Sequence, residues 1–263
     1  MIADAADAQY APADNAVRHD RRAVVAWAGA FTGALVLYGL TAARVIQWQD
    51  SGQFVLRIVE GRLLNELGLA LAHPLHYWLG VAAVNGLPVA PPLAVSLVSA
   101  VAGAVAVANV LLAVRLITGR WPAAVLAAAL VMVANTFWRM STVPETYTIV
   151  AALLTGQVVC LIAWTRRPWG GWCVALGLAN GLSLANHNLA LLSAVVWVGL
   201  AIAALRARRV TWSTLGLTVG AWVIGSLPFT GLVVQQAVAS GDVMGTIRSA
   251  LFGEHYGGAV MGA

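Results

Sequence analysis

Long apolar runs, separated by short charged or proline-containing breaks, dominate this chain. A run of about 20 apolar residues can cross the hydrocarbon core of a bilayer as a helix. Runs of this kind lie near residues 23–46, 93–117, 121–141, 147–165, 170–186, 189–206 and 212–236. Because the later breaks are short, consecutive helices should be antiparallel. The pattern predicts an all-α, polytopic transmembrane helix bundle of about seven spans.

The segment between the first two runs, residues 50–92, has a different periodicity. Between residues 51 and 71, polar positions recur at near-helical spacing among apolar ones, which predicts an amphipathic helix lying in the membrane interface. Arg57 with Glu60, and likewise Arg62 with Glu66, are in register to pair on such a helix. The following His73-Pro74 should end it, and residues 75–84, too short to cross, predict a second interfacial or re-entrant helix.

Composition places the chain in a bilayer. Hydrophobic residues make up 60% of the chain and charged residues 10%, and the mean hydropathy is +0.83. Residues 1–22 are too polar to pack and predict a disordered cytoplasmic tail. Residues 23–240 are predicted to form the transmembrane domain, with residues 50–92 as its outer loop. Residues 241–263 would then form an outer C-terminal segment.

Arginine placement predicts the orientation of these spans. All 15 basic residues are arginines, dispersed in ones to threes, so they indicate topology and not a nucleic-acid partner. Ten of them lie in alternate connections, which are therefore predicted to be cytoplasmic together with the N-terminus. These are Arg18, Arg21, Arg22, Arg115, Arg120, Arg166, Arg167, Arg206, Arg208 and Arg209. Every acid beyond the tail, and every histidine but His19, falls on the opposite, outer face.

Two outer carboxylates are candidates for catalysis. Asp50 directly follows the first run and precedes the flexible Ser51-Gly52 pair, so it could act as a general base at the interface. The alternative is that it caps the next helix. Glu145 is the only acid between Leu67 and Gly241. A carboxylate isolated at a span terminus is either an interfacial anchor or a functional group.

Other polar residues on the same face could bind a substrate. His73, His187 and Arg139 could contact phosphate groups, and the amphipathic Tyr147 stands beside Glu145. The alternatives are satisfied surface histidines and an arginine that extends to the interface beside Trp138. Polar residues within the runs are expected to form interhelical hydrogen bonds; these are Asn109, Gln157, Asn180 and Ser183. Cys160 and Cys173 are interpreted as packing residues.

Four motifs in order resemble the bacterial membrane proteins related to protein O-mannosyltransferases, within the GT-C glycosyltransferase superfamily. They are Asp50-Ser51-Gly52-Gln53-Phe54, Ala72-His73-Pro74, Val143-Pro144-Glu145-Thr146-Tyr147 and Ala185-Asn186-His187-Asn188. The resemblance runs from about residue 40 to residue 210. It implies a GT-C fold in a bacterial inner membrane. It also implies sugar transfer from a polyprenyl-phosphate donor to a protein or glycan acceptor outside the cytoplasm.

Within that resemblance, Asp50 matches the acid of the first outer loop, and His73, Glu145 and His187 match other outer-face positions. The family more often has Glu where Gln53 stands and Pro-Gly where Leu75-His76 stands. Family members are usually longer, so a truncated or minimal core is also expected.

We therefore predict an integral membrane glycosyltransferase, specific for mannose or another hexose. Asp50 and Glu145 would be catalytic, and His73, Arg139, His187 and Tyr147 would bind substrate. No nucleotide-binding glycine loop occurs, no cofactor is required and a divalent metal is permitted. A non-catalytic scaffold subunit is the main alternative. A transporter or lipid carrier is disfavoured because the spans carry no mid-span charge and no internal repeat.

Overall fold

The computed structural model describes residues 21–64 and 68–253. These residues form α-helices and short connections without any strand, which confirms the all-α prediction. The helices are α1 (Arg21–Thr41), α2 (Asp50–Glu60), α3 (Pro74–Gly86), α4 (Pro91–Thr118), α5 (Trp121–Val133), α6 (Asn135–Thr142), α7 (Tyr147–Arg166), α8 (Gly170–Asn186), α9 (Ala190–Arg206), α10 (Trp212–Ser240) and α11 (Val243–Phe252). A 3-10 turn at Leu69–Leu71 precedes α3. Residues 1–20 of the predicted tail, Glu66, Glu254 and His255 lie outside the described residues.

Several helices have the length and apolarity of membrane spans. Four qualify singly, namely α1, α4, α7 and α10, and α5 with α6 qualify together as a bent fifth. Helices α8 and α9 coincide with two further predicted runs, but each has only 17 residues. The chain is thus a multi-pass membrane protein, with four or five candidate spans among the described residues where about seven were predicted.

The first span ends earlier than its apolar run. Helix α1 stops at Thr41, whereas the run continues to Ile46. Beyond the helix, the amide of Ala43 donates to the carbonyl of Thr142 at 2.7 Å, and Trp138 Nε1 donates to Thr41 Oγ1 at 3.0 Å. These contacts fasten the end of α1 to α6. Asp50 consequently does not follow the first span directly, because it opens α2 instead.

The predicted span at 121–141 is broken. Helices α5 and α6 meet at Ala134 with a bend of 62°. An unbroken helix would satisfy the carbonyl of Met132 with the amide four residues later. Here the hydroxyl of Tyr38 donates to that carbonyl at 2.9 Å. A side chain of α1 thus replaces a helical hydrogen bond at the bend.

Close packing of α8 against α10 forms one side of the bundle. A Cβ atom on Gly181 would collide with the carbonyl oxygen of Trp222, and Gly177 and Gly225 are similarly confined by backbone of the facing helix. Asn180 Nδ2 donates to Gln157 Oε1 at 3.1 Å, joining this pair to α7. Interhelical hydrogen bonding is therefore confirmed for Gln157 and Asn180. It is also confirmed for Asn109, whose Oδ1 accepts from Trp27 Nε1 at 3.0 Å.

The predicted interfacial helix is shorter than expected. Helix α2 ends at Glu60, because Gly61 adopts a left-handed conformation with φ of 70°. The proposed pairing of Arg57 with Glu60 is wrong. Glu60 pairs with Arg62 at 3.5 Å, and Arg57 turns inward, with only 6% of its surface exposed. The second helix, α3, begins directly after His73 as predicted.

Candidate functional site

Three connections and the first turn of one helix meet at one end of the bundle. They are the start of α2, the turn between α2 and α3, the α6–α7 connection and the α8–α9 connection. Each carries at least one residue that the sequence singled out, respectively Asp50, His73, Glu145 and His187. We call this group, with the side chains that join its members, the four-loop cluster. Its geometry decides whether separate motifs can form one site.

Two serines hold Glu145 in place through hydrogen bonds. Ser51, in the first turn of α2, donates its hydroxyl to Glu145 Oε1 at 3.0 Å. Ser99 of α4 holds the backbone of the same residue, because Glu145 N donates to Ser99 Oγ at 3.0 Å and that hydroxyl donates to the Glu145 carbonyl at 3.2 Å. Both serines are buried. The carboxyl group of Glu145 is therefore held against the residue that follows Asp50.

Asn186 joins two further connections. Its side-chain Nδ2 donates to the carbonyl of Thr146 at 2.9 Å. Its own carbonyl lies 2.7 Å from His73 Nδ1, and because a carbonyl only accepts, this nitrogen of His73 must carry the proton. Asn186 is fully buried at the end of α8. It thereby positions His73 and the residue next to Glu145 through one side chain and one backbone group.

The rings of three candidate residues form a stack. The His73 and His187 centroids are 5.1 Å apart with their planes inclined by 28°, and the Tyr147 ring lies 5.8 Å from His187, inclined by 35°. The amide of Leu189 donates to His187 Nδ1 at 3.2 Å. In neutral His187 the proton must therefore sit on Nε2. That nitrogen makes no hydrogen bond to any described residue, so it can donate to a ligand.

Burial sets the ionisation of the cluster. It raises the pKa of Glu145, and the charge of Asp50 raises this pKa further. The hydrogen bond from Ser51 and the charge of Arg139 act in the opposite direction and lower it. Burial also lowers the pKa of His73 to about 4 and lowers the pKa of His187. The histidines are consequently neutral near pH 7. His73 donates its Nδ1–H to the Asn186 carbonyl in a hydrogen bond. It is therefore suited to orienting His187 and not to binding phosphate as a cation.

Not every candidate is enclosed to the same degree. Asp50 and Arg139 are exposed, Glu145 and His187 are half-buried, and Tyr147 is exposed at the start of α7. The charges of Asp50 and Arg139 both act on Glu145, which places them near the same carboxyl group. All six predicted site residues thus belong to one end of the bundle. Gln49, and not Asp50, occupies the N-cap position of α2, so the capping interpretation of Asp50 fails.

Two buried residues at this end of the bundle, Arg57 and His76, were not predicted from the sequence to belong to the site. Arg57 donates to the carbonyl of Leu71 at 3.0 Å and lies over the Phe54 ring at 5.3 Å. His76 is buried with its ring 4.8 Å from that of Phe54, and burial lowers its pKa to about 3. One signal could have revealed Arg57. It is three residues from Phe54, so on a helix it shares the face that this apolar residue turns inward.

Comparisons with protein-family models, with curated proteins and with solved structures find no match to this chain. The relationship to protein O-mannosyltransferases therefore stays a prediction that rests on the four motifs. Within the described part of the chain, no three His, Cys, Asp or Glu side chains are grouped as ligands for a metal ion.

Proposed function

We propose that this protein is a membrane glycosyltransferase that moves mannose or another hexose from a polyprenyl-phosphate donor to a protein or glycan hydroxyl. The observation that carries the proposal is the four-loop cluster. Residues from four separate segments are joined there by the Ser51–Glu145 and His73–Asn186–Thr146 hydrogen bonds. A site at a helix-bundle end suits a donor whose lipid tail stays in the bilayer while its sugar reaches the aqueous side.

Asp50 serves as the general base in this proposal. It is exposed at the start of α2, where an acceptor can approach, and it takes the proton of the acceptor hydroxyl. The acceptor oxygen forms a bond to the anomeric carbon of the sugar. The bond from that carbon to the phosphate oxygen breaks, and polyprenyl phosphate leaves with the electron pair. Asp50 then releases the proton to water.

Glu145 acts on the acceptor, and His187 acts on the phosphate of the donor. Glu145 uses Oε1 to hold Ser51, and in this proposal its other carboxyl oxygen faces the acceptor. Neutral His187 donates from Nε2 to the leaving phosphate, where negative charge grows as the bond breaks. The exposed Arg139 supplies the cation for the same group. Tyr147 offers its ring as a platform for the sugar, and His73 orients His187.

The orientation follows from the arginine bias. The N-terminus and the Arg166-Arg167 connection lie in the cytoplasm in this proposal, which puts the four-loop cluster on the outer face of a bacterial inner membrane.

The test measures donor consumption. Purified protein in bilayer nanodiscs is supplied with radiolabelled polyprenyl-phosphate mannose or glucose and with membrane protein as acceptor. Wild-type protein should release polyprenyl phosphate and label the acceptor, and Asp50→Asn should reduce the rate by at least about a hundredfold. The control is Asp242→Asn, because Asp242 caps α11 outside the cluster and asparagine can also cap. Inert wild-type protein with both donors would instead favour the scaffold subunit.

A further inference from the structure

A second feature lies away from the four-loop cluster, among α7, α8, α9 and α10. It is a cavity of about 350 Å³, a volume within the range of small-molecule sites. Its lining is almost wholly apolar and includes Trp164, Cys173, Trp197, Ala201 and Trp222. The only side-chain amide in its wall is that of Asn180, which is fully engaged with neighbouring side chains. The cavity is suited to a hydrocarbon chain.

Local packing explains why this space is open. Helices α8 and α10 are already in backbone contact through glycines, so they cannot move closer together to close it. Helix α9 is tied to the others near its start, where Asn180 donates to Ser193 Oγ at 2.9 Å and Trp197 Nε1 donates to Gln157 Oε1 at 2.6 Å. From those bonds to Ala204, the cavity lies between α9 and its neighbours.

Two arginine-bearing connections flank one end of the cavity. Trp164 of the lining is followed by Arg166 and Arg167, and the lining residues Ala204 and Val210 enclose the α9–α10 turn. That turn carries exposed Arg206, Arg208 and Arg209. No described residue pairs with these three side chains by a hydrogen bond or ion pair. The chain contains no acid between Glu145 and Asp242. The end of the cavity therefore carries uncompensated positive charge.

We propose that this cavity binds an acyl chain of an anionic phospholipid, whose phosphate headgroup rests on Arg206, Arg208 and Arg209. Basic pockets between membrane helices attract anionic headgroups, and each arginine near the surface contributes to the attraction. A free phosphate would leave the apolar lining empty, and a zwitterionic lipid would leave the arginines without a net counter-charge. The apolar lining and the arginines together select a lipid that has both parts.

The site is distinct from the four-loop cluster. Cys173 in the cavity wall and His187 in the cluster lie toward opposite ends of α8, roughly 20 Å apart along the helix at its usual rise per residue. A lipid here would fill the space beside α9 and hold that helix against α8. The lipid is held by Arg206, Arg208 and Arg209, so its binding needs neither Asp50 nor Glu145. The inference therefore stands independently of the proposed glycosyl transfer.

The test is lipid titration of delipidated protein, followed by native mass spectrometry. We expect dioleoylphosphatidylglycerol to bind at least about tenfold more tightly than dioleoylphosphatidylcholine. Arg206→Ala/Arg208→Ala/Arg209→Ala should remove this preference, whereas Arg62→Ala, an exposed arginine elsewhere, should keep it. Ala201→Phe, which fills the cavity, should weaken both lipids. Ala203→Phe is the matched control because Ala203 is exposed on the same helix and does not line the cavity.

Four outcomes would overturn the proposal. The first is equal binding of the two lipids by wild-type protein, and the second is an unchanged preference in the triple arginine variant. The third is displacement of phosphatidylglycerol by a tenfold lower concentration of polyprenyl phosphate, which would assign the cavity to the donor. Competition by inorganic phosphate alone would equally contradict the need for an acyl chain. Should Ala201→Phe fail to fold, the arginine variant still decides the headgroup preference.

Discussion

The hydroxyl of Ser51 donates to Oε1 of Glu145 at 3.0 Å, although 94 residues separate the two along the chain. This bond joins the first turn of α2 to the connection between α6 and α7. It places Glu145 beside the residue that follows Asp50. Neither motif alone indicates that pairing, yet the proposed site depends on it.

Removing the Ser51 hydroxyl should move the pH profile of sugar transfer. The hydrogen bond from Ser51 lowers the pKa of Glu145, which burial raises. Ser51→Ala should therefore raise the pKa of Glu145 further and shift the acidic limb of the pH–rate profile to higher pH. The measurement is donor consumption between pH 5 and 8, with Ser96→Ala as control, because buried Ser96 bonds only to the Pro92 carbonyl of its own helix. If the acidic limbs of the pH–rate profiles were identical in the two variants, Glu145 would have no role in the reaction.

Replacing His187 should separate ring packing from hydrogen bonding. His187→Phe keeps an aromatic ring against His73 and Tyr147 but lacks the Nε2 donor. We expect kcat to fall by about a hundredfold, the usual effect of losing one donor to a developing charge, with a smaller change in KM. His187→Gln retains an N–H group and should keep part of the rate. An equal loss in both variants would indicate a packing role.

Acid should destabilise the protein through its buried histidines. Burial lowers the pKa of His73 to about 4 and of His76 to about 3, from the ordinary 6.5. Their neutral forms contribute full stability above pH 6.5, and this contribution is lost as pH falls toward the folded-state values. The expected loss at pH 5 is about 2 kcal/mol per histidine. Thermal unfolding in detergent should vary less with pH in His76→Phe, and unaltered pH dependence would refute this assignment.

The α8–α10 contact should not tolerate a methyl group at Gly181. A Cβ atom there would meet the Trp222 carbonyl. Gly181→Ala should therefore destabilise the bundle by about 1–3 kcal/mol through overpacking. Gly220→Ala is the matched control on α10, since a Cβ atom there meets nothing within 4 Å and alanine favours a helix. Melting temperatures of the two variants should move in opposite directions.

Accessibility labelling should report the orientation. In a variant that lacks Cys160 and Cys173, Arg167→Cys should react with an impermeant maleimide only after the inner membrane is permeabilised. Glu60→Cys, exposed at the end of α2, should react in intact spheroplasts. The reason is the excess of arginines on the predicted cytoplasmic side. Labelling of position 167 from outside would invert the proposed topology.

Hydrophobic patterning alone determined much of the fold. A helix in a bilayer must satisfy its own backbone and bury its apolar length, so run length and breaks predicted the starts and ends of α4, α7, α8 and α10 closely. The same local rules located His73-Pro74 as the start of α3. They also placed Glu145 and His187 in connections and Asp50 outside the first span, because charged residues seldom remain within a span.

Only the tertiary structure decided which connections meet and where helices break. The end of α1 at Thr41, the bend at Ala134 and the inward turn of Arg57 all depend on partners distant in sequence: Trp138, Tyr38 and Leu71. Such contacts depend on which distant segments pack together, so local hydropathy does not reveal them. The neutral state of His73 was hidden for the same reason, because its cause is burial in the folded bundle and not any feature of its neighbours in the chain.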